Sequence, residues 1–151
     1  MDLILQVHIR KQQPDIMKNE FVLLVVDDDH EDLEIFCEAM KLINPEIKCL
    51  MARDGKEALT LLRQLPELPK IIFLDNNMPQ MNGRKCLTHI KDDPHLKEIP
   101  VIMYSTFFSS QDVEDFKNSG AAVLKKQIDF SDIVKHLSAA LGNFYPTLVS
   151  R

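Results

Sequence analysis

Glycine is scarce in this 151-residue chain, with 4, and tryptophan is absent. So few glycines argue against a glycine-rich phosphate loop, and the missing tryptophan against a Trp-anchored β-sandwich. The three cysteines, Cys37, Cys49 and Cys86, are odd in number and none sits in a C-x-x-C pair. That suggests neither a disulfide framework nor a zinc site, and reads as buried free thiols in a reducing compartment. The five histidines show no H-x-x-x-H spacing and read as surface or packing residues. No run approaches the roughly 20 apolar residues of a membrane span. The early apolar stretch, Leu3 to Ile9, is broken by Gln6 and His8 and lacks the marks of a secretory signal. A basic excess is missing too: 18 Lys and Arg face 23 Asp and Glu, for a net charge of -5. DNA is therefore disfavoured as a partner. No membrane contact and a cytoplasmic location follow by elimination.

What the sequence does contain is a strict alternation of strand and helix signals. Phe21 to Val26 is a continuous apolar run, the habit of a strand buried on both faces. Leu33, Phe36, Cys37, Met40 and Ile43 then recur at helical spacing, and Pro45 stops that helix. Ile47 to Ala52 is a second strand, followed by a helix capped by Asp54 and carrying Ala58, Leu61, Leu62 and Leu65. Ile71 to Leu74 is a third strand, 76–83 a loop and Arg84 to Lys91 a helix. Val101 to Tyr104 is a fourth strand, before a helix capped by Ser109 or Ser110 and stopped at Gly120. Ala122 to Leu124 is the fifth, before a last helix that starts at Asp129 or Ser131, runs to Leu141 and stops at Gly142. Five such units predict an α/β fold, parallel βαβ crossovers with helices on both faces. The expected organisation is an N-terminal extension over 1–20, one domain over 21–142 and an apolar C-terminal tail over 143–151.

In an open α/β sheet, ligands bind outside the carboxyl ends of the strands. Those ends carry Asp27, Asp28 and Asp29 after the first strand and Asp75 after the third. Ser105 and Thr106 follow the fourth, Lys125 and Lys126 the fifth. Three aspartates would repel an anionic ligand, but converging carboxylates suit a hard, partly hydrated cation such as Mg²⁺. With the cation in place the local charge inverts, and a phosphoryl group can approach Asp75. Phosphoryl chemistry needs its oxygens held and neutralised. The cation, a lysine ammonium and a hydroxyl or backbone N–H would each take one. Any single aspartate here could be a mere helix cap; four of five strand ends carrying complementary groups argue for a site.

These residues give the chain a strong resemblance to the bacterial response-regulator receivers, the CheY-like family. It covers about Phe21 to Leu141. It rests on VVDD at Val25 to Asp28, D-x-x-M-P-x-M-x-G at Asp75 to Gly83, PVIMYS at Pro100 to Ser105, and LKK at Leu124 to Lys126. The segment DPHLKEIPVIM is similar to the receivers of phytochrome-type and hybrid kinases. The resemblance implies a doubly wound five-stranded parallel sheet of order 2-1-3-4-5, flavodoxin-like. It implies that Asp75 is the phosphoacceptor, that Asp28 binds Mg²⁺ directly and that Asp27 binds it mostly through water. Asn77 would offer its backbone carbonyl to the metal. Ser105 would supply the switch hydroxyl and Lys126 the lysine, with Lys125 as an alternative. Thr106, bulkier than the family's usual Ala or Gly, would restrict water. Two departures stand out. Gln127 replaces the family's usual proline after the lysine, and a non-proline cis bond is costly. Val123 stands where the family has a rotating aromatic; Tyr104, Phe107 and Phe108 flank the hydroxyl and could serve instead.

The expected function is a switch that takes a phosphoryl group from a histidine kinase or phosphotransfer protein. It would act by binding a downstream protein, because only ten residues follow Leu141 and no output domain is expected. The receiver family's partner face is the fourth helix, fifth strand and fifth helix. The alternative is a degenerate receiver, a binding module that works unphosphorylated. A haloacid-dehalogenase-type phosphohydrolase would need a second Asp where Asn77 stands, so no enzyme turnover is expected. The tail holds Phe144, Tyr145, Leu148 and Val149, with Pro146 setting an extended path. That composition suits a partner surface and predicts a homodimer through the tail and the partner face.

Overall fold

The computed structural model describes residues 20–149. Strands β1 (Val22–Val26), β2 (Lys48–Ala52), β3 (Ile72–Leu74), β4 (Val101–Ser105) and β5 (Ala122–Lys125) form one parallel sheet of order β2-β1-β3-β4-β5. They alternate with helices α1 (His30–Ile43), α2 (Gly55–Gln64), α3 (Gly83–Asp92), α4 (Ser110–Asn118) and α5 (Phe130–Phe144). A short sixth helix, α6 (Pro146–Val149), follows. The order is the doubly wound one expected.

Pleating sorts the apolar runs onto two faces. Leu24, Val26, Ile72, Leu74, Val101 and Met103 meet α2, α3 and α4. Leu23, Val25, Ile71, Phe73, Ile102 and Tyr104 meet α1 and α5. The three central strands are therefore covered on both sides, which is why their sequences show no polar alternation. Tyr104 lies in this second core beside Phe36 and Phe73. Val123 packs on the opposite face, against the α2–α4 core.

Side-chain caps set the starts of α1 to α4, while Asp129 at the start of α5 makes no such bond. Asp29, Asp54, Asn82 and Ser109 each accept from the backbone N–H three residues on. Ser109 and Asp112 complete a capping box. Gly120, with φ +83°, turns the chain out of α4 as expected. Arg84 ties α3 to α4, donating to Asp115 at 2.9 Å and Asp112 at 2.8 Å while its guanidinium lies 4.9 Å from the Phe116 ring.

Some of these expectations need correction. Gly142 does not end the last helix, which runs through it to Phe144. The tail does not take an extended path: Pro146 opens α6, where its fixed φ suits a first helical position. The tail also packs on its own domain. The Tyr145 ring meets Phe21 edge-on at 4.9 Å, its hydroxyl donates to the Lys70 carbonyl at 2.7 Å, and Asn44 Nδ2 donates to the Leu148 carbonyl. Finally, Cys37 and Cys49 are half-buried rather than buried, while Cys86 is buried as expected. The N-terminal extension lies outside the described residues apart from Glu20. Among the described residues, no helix is long and apolar enough to cross a membrane.

Candidate functional site

The sheet delivers the sequence-predicted residues to one edge. The Asp27 N–H donates to the Ala52 carbonyl and the Asp75 N–H to the Val26 carbonyl, continuing the ladders one residue past β1 and β3. Both side chains are thus fixed at the end of the sheet, and both are buried. Asp28 is exposed. One carboxylate oxygen each from Asp27, Asp28 and Asp75 lie within 4.8 Å of one another. Ser105 ends β4 fully buried; its Oγ donates to Asp75 Oδ1 at 2.5 Å and accepts from the Asn76 N–H at 2.9 Å.

Of the two lysines, Lys126 is the one whose side chain lies over the carboxylate cluster. Lys125 is exposed, whereas the Lys126 N–H donates to the Ser105 carbonyl, turning its side chain over the cluster. Its Nζ donates to Asp27 Oδ2 at 2.5 Å and Asp32 Oδ2 at 2.9 Å, and lies 3.8 Å from Asp75 Oδ2. The Lys126–Gln127 bond is trans, since the described residues contain no cis peptide. The ammonium reaches the cluster without the proline.

The electrostatics follow from burial and crowding. Burial, with the Asp75 charge adding to it, pushes the Asp27 carboxyl up to about 6 against the bonds from Lys126 and the Asp29 N–H. Burial works to lower the Lys126 ammonium, yet Asp27 and Asp32 carry it above the ordinary lysine range. Four carboxylates, Asp32 included, against one ammonium leave a surplus of negative charge. Oxygen ligands that are partly buried and partly open to water fit a hard divalent cation.

The loop after β3 frames the site. Met78 is buried, and Met81 packs against Gly55. Gln80, with φ 63°, makes the left-handed turn between them. The Asn77 N–H lies 3.4 Å from Asp75 Oδ1. The Gly83 N–H donates to the Asn76 carbonyl, and a Cβ at Gly83 would meet the Asp75 carbonyl oxygen at 2.2 Å. Thr106 is exposed at the mouth and Phe107 is 67% exposed, while Phe108 sits edge-on to Phe116. Of the aromatics suggested as a substitute switch, Tyr104 packs in the α1–α5 core, with Lys126 Nζ 5.7 Å from its ring centroid.

Two site residues escaped the sequence reading. Asp32 reads there as one more acid in the first turn of an amphipathic helix, and only the fold brings it to Lys126. Gly83 reads as a motif position; the closeness of α3 to the Asp75 backbone is what requires it.

Residues 23–138 match the response regulator receiver domain family. Response regulator Rcp1 of Synechocystis is 35% identical over 97 residues, which span 61% of this chain and 66% of Rcp1. The probable methanogenesis regulatory protein FilR2 of Methanothrix harundinacea is 30% identical over 127 residues, 79% of this chain and 81% of FilR2. Among solved structures, the phosphorylated cyanobacterial phytochrome response regulator RcpA superposes with a TM-score of 0.77. It is 28% identical, and the match covers 85% of this chain and 96% of RcpA. The Mn²⁺-bound form of Rcp1 gives a TM-score of 0.72 at 29% identity, over 83% of this chain and 94% of Rcp1. The family match runs across all five strands and into α5, and the chain belongs to the response regulator receiver domain family.

Proposed function

We propose that this chain is a phosphorylation-dependent signalling switch with Asp75 as its phosphoacceptor. The observation that carries this reading is the convergence on one buried carboxylate of a hydroxyl, an ammonium and two further carboxylates. A histidine kinase or phosphotransfer protein is the donor. An Asp75 oxygen attacks phosphorus, the O–P bond forms and the P–N bond breaks. The electron pair goes to the imidazole nitrogen; the other ring nitrogen carries the proton, so neutral imidazole leaves. Lys126 and the Ser105 hydroxyl lie where each can hold one phosphoryl oxygen. Asp28, Asp27, Asp75 and the Asn77 carbonyl would hold a Mg²⁺, which would supply positive charge against the phosphoryl oxygens. Thr106 stands at the mouth and narrows the path of water to the acyl phosphate. The chain turns over no external phosphate ester, because Asn77 cannot act as a general acid. The likeness to phytochrome response regulators supports a donor of that type. A downstream protein reads the change on the face made by α4, β5 and α5.

The alternative is a receiver that binds its partner without phosphorylation. It is favoured by Val123, which packs as core where the family has a rotating aromatic. An acyl-phosphate donor with Mg²⁺ separates the two. The intact protein gains the mass of one phosphoryl group under the first reading and nothing under the second. Asp75→Asn, nearly isosteric, loses the gain and keeps the wild-type circular dichroism spectrum. Labelling of this variant at the wild-type rate would place the acceptor elsewhere. Asp28→Asn lowers Mg²⁺ affinity measured by titration; unchanged affinity removes Asp28 from the cation site.

A further inference from the structure

The Lys126 N–H is tied to the Ser105 carbonyl, but beyond that bond the connection between β5 and α5 is open. The Lys126–Gln127 peptide bond is trans, and two residues on Ile128 is fully exposed. A lysine is a compact ammonium on a flexible stem, so its head goes where acceptors draw it. Two carboxylates hold it directly: Asp27 at 2.5 Å and Asp32 at 2.9 Å. They are not equivalent. Asp27 belongs with Asp28 and Asp75 to the carboxylate cluster, and a cation there draws on its oxygens. Asp32 stands outside that set. It sits in the first turn of α1, fixed by its own N–H donating to Asp29 Oδ1 at 3.2 Å. Its side chain is 37% exposed, against 9% for Lys126. Asp32 is thus the ammonium's carboxylate partner that a cation in the cluster would not share.

We propose that Asp32 is a positioning residue for Lys126, holding the ammonium over the site toward the place a phosphoryl group on Asp75 would occupy. Its carboxylate does the work that a backbone constraint after the lysine would otherwise do. The inference rests on the phosphoacceptor reading above. Asp32 acts through Lys126 and touches no phosphoryl oxygen itself. An ordinary acid in a helix first turn would instead favour the helix dipole, with an effect independent of Lys126.

A double-mutant cycle on the full chain separates these roles. Beryllofluoride, a phosphoryl mimic, is titrated at saturating Mg²⁺ into wild type, Asp32→Ala, Lys126→Ala and the double variant. Asp32→Ala weakens binding about fivefold, the size expected of a half-exposed ion pair. In the Lys126→Ala background the same change has no further effect. Asp32→Glu recovers part of the loss. Equal losses in both backgrounds, or no loss in Asp32→Ala, overturn the proposal. A second readout does not depend on phosphorylation: exchange of the Lys126 ammonium protons with water, followed on the ¹⁵Nζ resonance. Exchange is slow in wild type and faster in Asp32→Ala; an unchanged rate overturns the proposal even if phosphorylation is normal. A wild-type protein that takes neither beryllofluoride nor a phosphoryl group removes the phosphoacceptor reading instead. The Nζ resonance then decides on Asp32 alone.

Discussion

Asp27 shows what gathering charge at a sheet edge costs a single residue. Its carboxyl titrates near 6 in the folded chain, raised first by burial, and near 4 when unfolded. Between those values the unfolded chain has released the proton that the folded chain still holds. Stability therefore falls as pH rises from about 4 to about 6, by on the order of 2 kcal/mol, and stays lowered above. Denaturant unfolding of the cation-free protein across that range, compared with Asp27→Asn, measures the effect. The variant loses the slope; the same slope in both would assign it to other groups. Saturating Mg²⁺ also flattens the slope, because it stabilises the ionised form. The positions of Asp27, Asp28, Asp75, Ser105 and Lys126 were legible in the sequence because each lies at or within two residues of the end of an apolar strand. Asp32 was not, because an acid on the polar face of a helix carries no signal until the fold brings a lysine to it.

At the scale of elements, the contact between α3 and the loop after β3 sets the tolerance of the site. A Cβ at Gly83 would lie 2.2 Å from the Asp75 carbonyl oxygen and 2.7 Å from Asn76 Cα. Both are backbone atoms, so the strain cannot relax by a rotamer change. Gly83→Ala must push α3 away from the sheet or displace the backbone that carries Asp75. We expect a loss of about 2 kcal/mol or more in stability, in the range of overpacked sites. A fall in Mg²⁺ affinity should accompany it. A variant with wild-type values of both would show that the loop and helix give way freely. The strands themselves were the most legible elements, since runs such as Ile71 to Leu74 are buried on both faces and admit little else. The end of α5 was misread for a physical reason. Gly142 is a helix breaker by propensity, but here the Val149 side chain closes over it, at 2.9 Å from where a Cβ would stand. Tertiary packing of α6 overrides the local preference.

For the molecule as a whole, the packing of the tail changes how a homodimer is tested. Tyr145, Leu148 and Val149 pack against the α1–α5 core, so a chain cut at Gly142 would lose stability along with any interface. Phe144 is the apolar residue of that stretch left 39% exposed. It borders a cavity of about 290 Å³ between β5 and α5, lined also by Val123, Leu124, His136 and Ala140. This cavity lies on the face expected to meet a partner, at the open edge of the sheet. An edge strand flanked by a shallow apolar depression is a surface that a second copy could cover around a two-fold axis. A stable pair buries about 1,200–2,000 Å² in total, so the contact must extend beyond the cavity onto α4 and α5. Phe144→Glu is the informative change: it places a charge at the rim while leaving the fully buried core side chains in place. Sedimentation of the full chain should give a dimer at about tens of micromolar, tightened by beryllofluoride, with Phe144→Glu a monomer of unchanged thermal stability. A full chain that sediments as a monomer with and without beryllofluoride ends the dimer proposal. A dimer that survives Phe144→Glu moves the contact to another face.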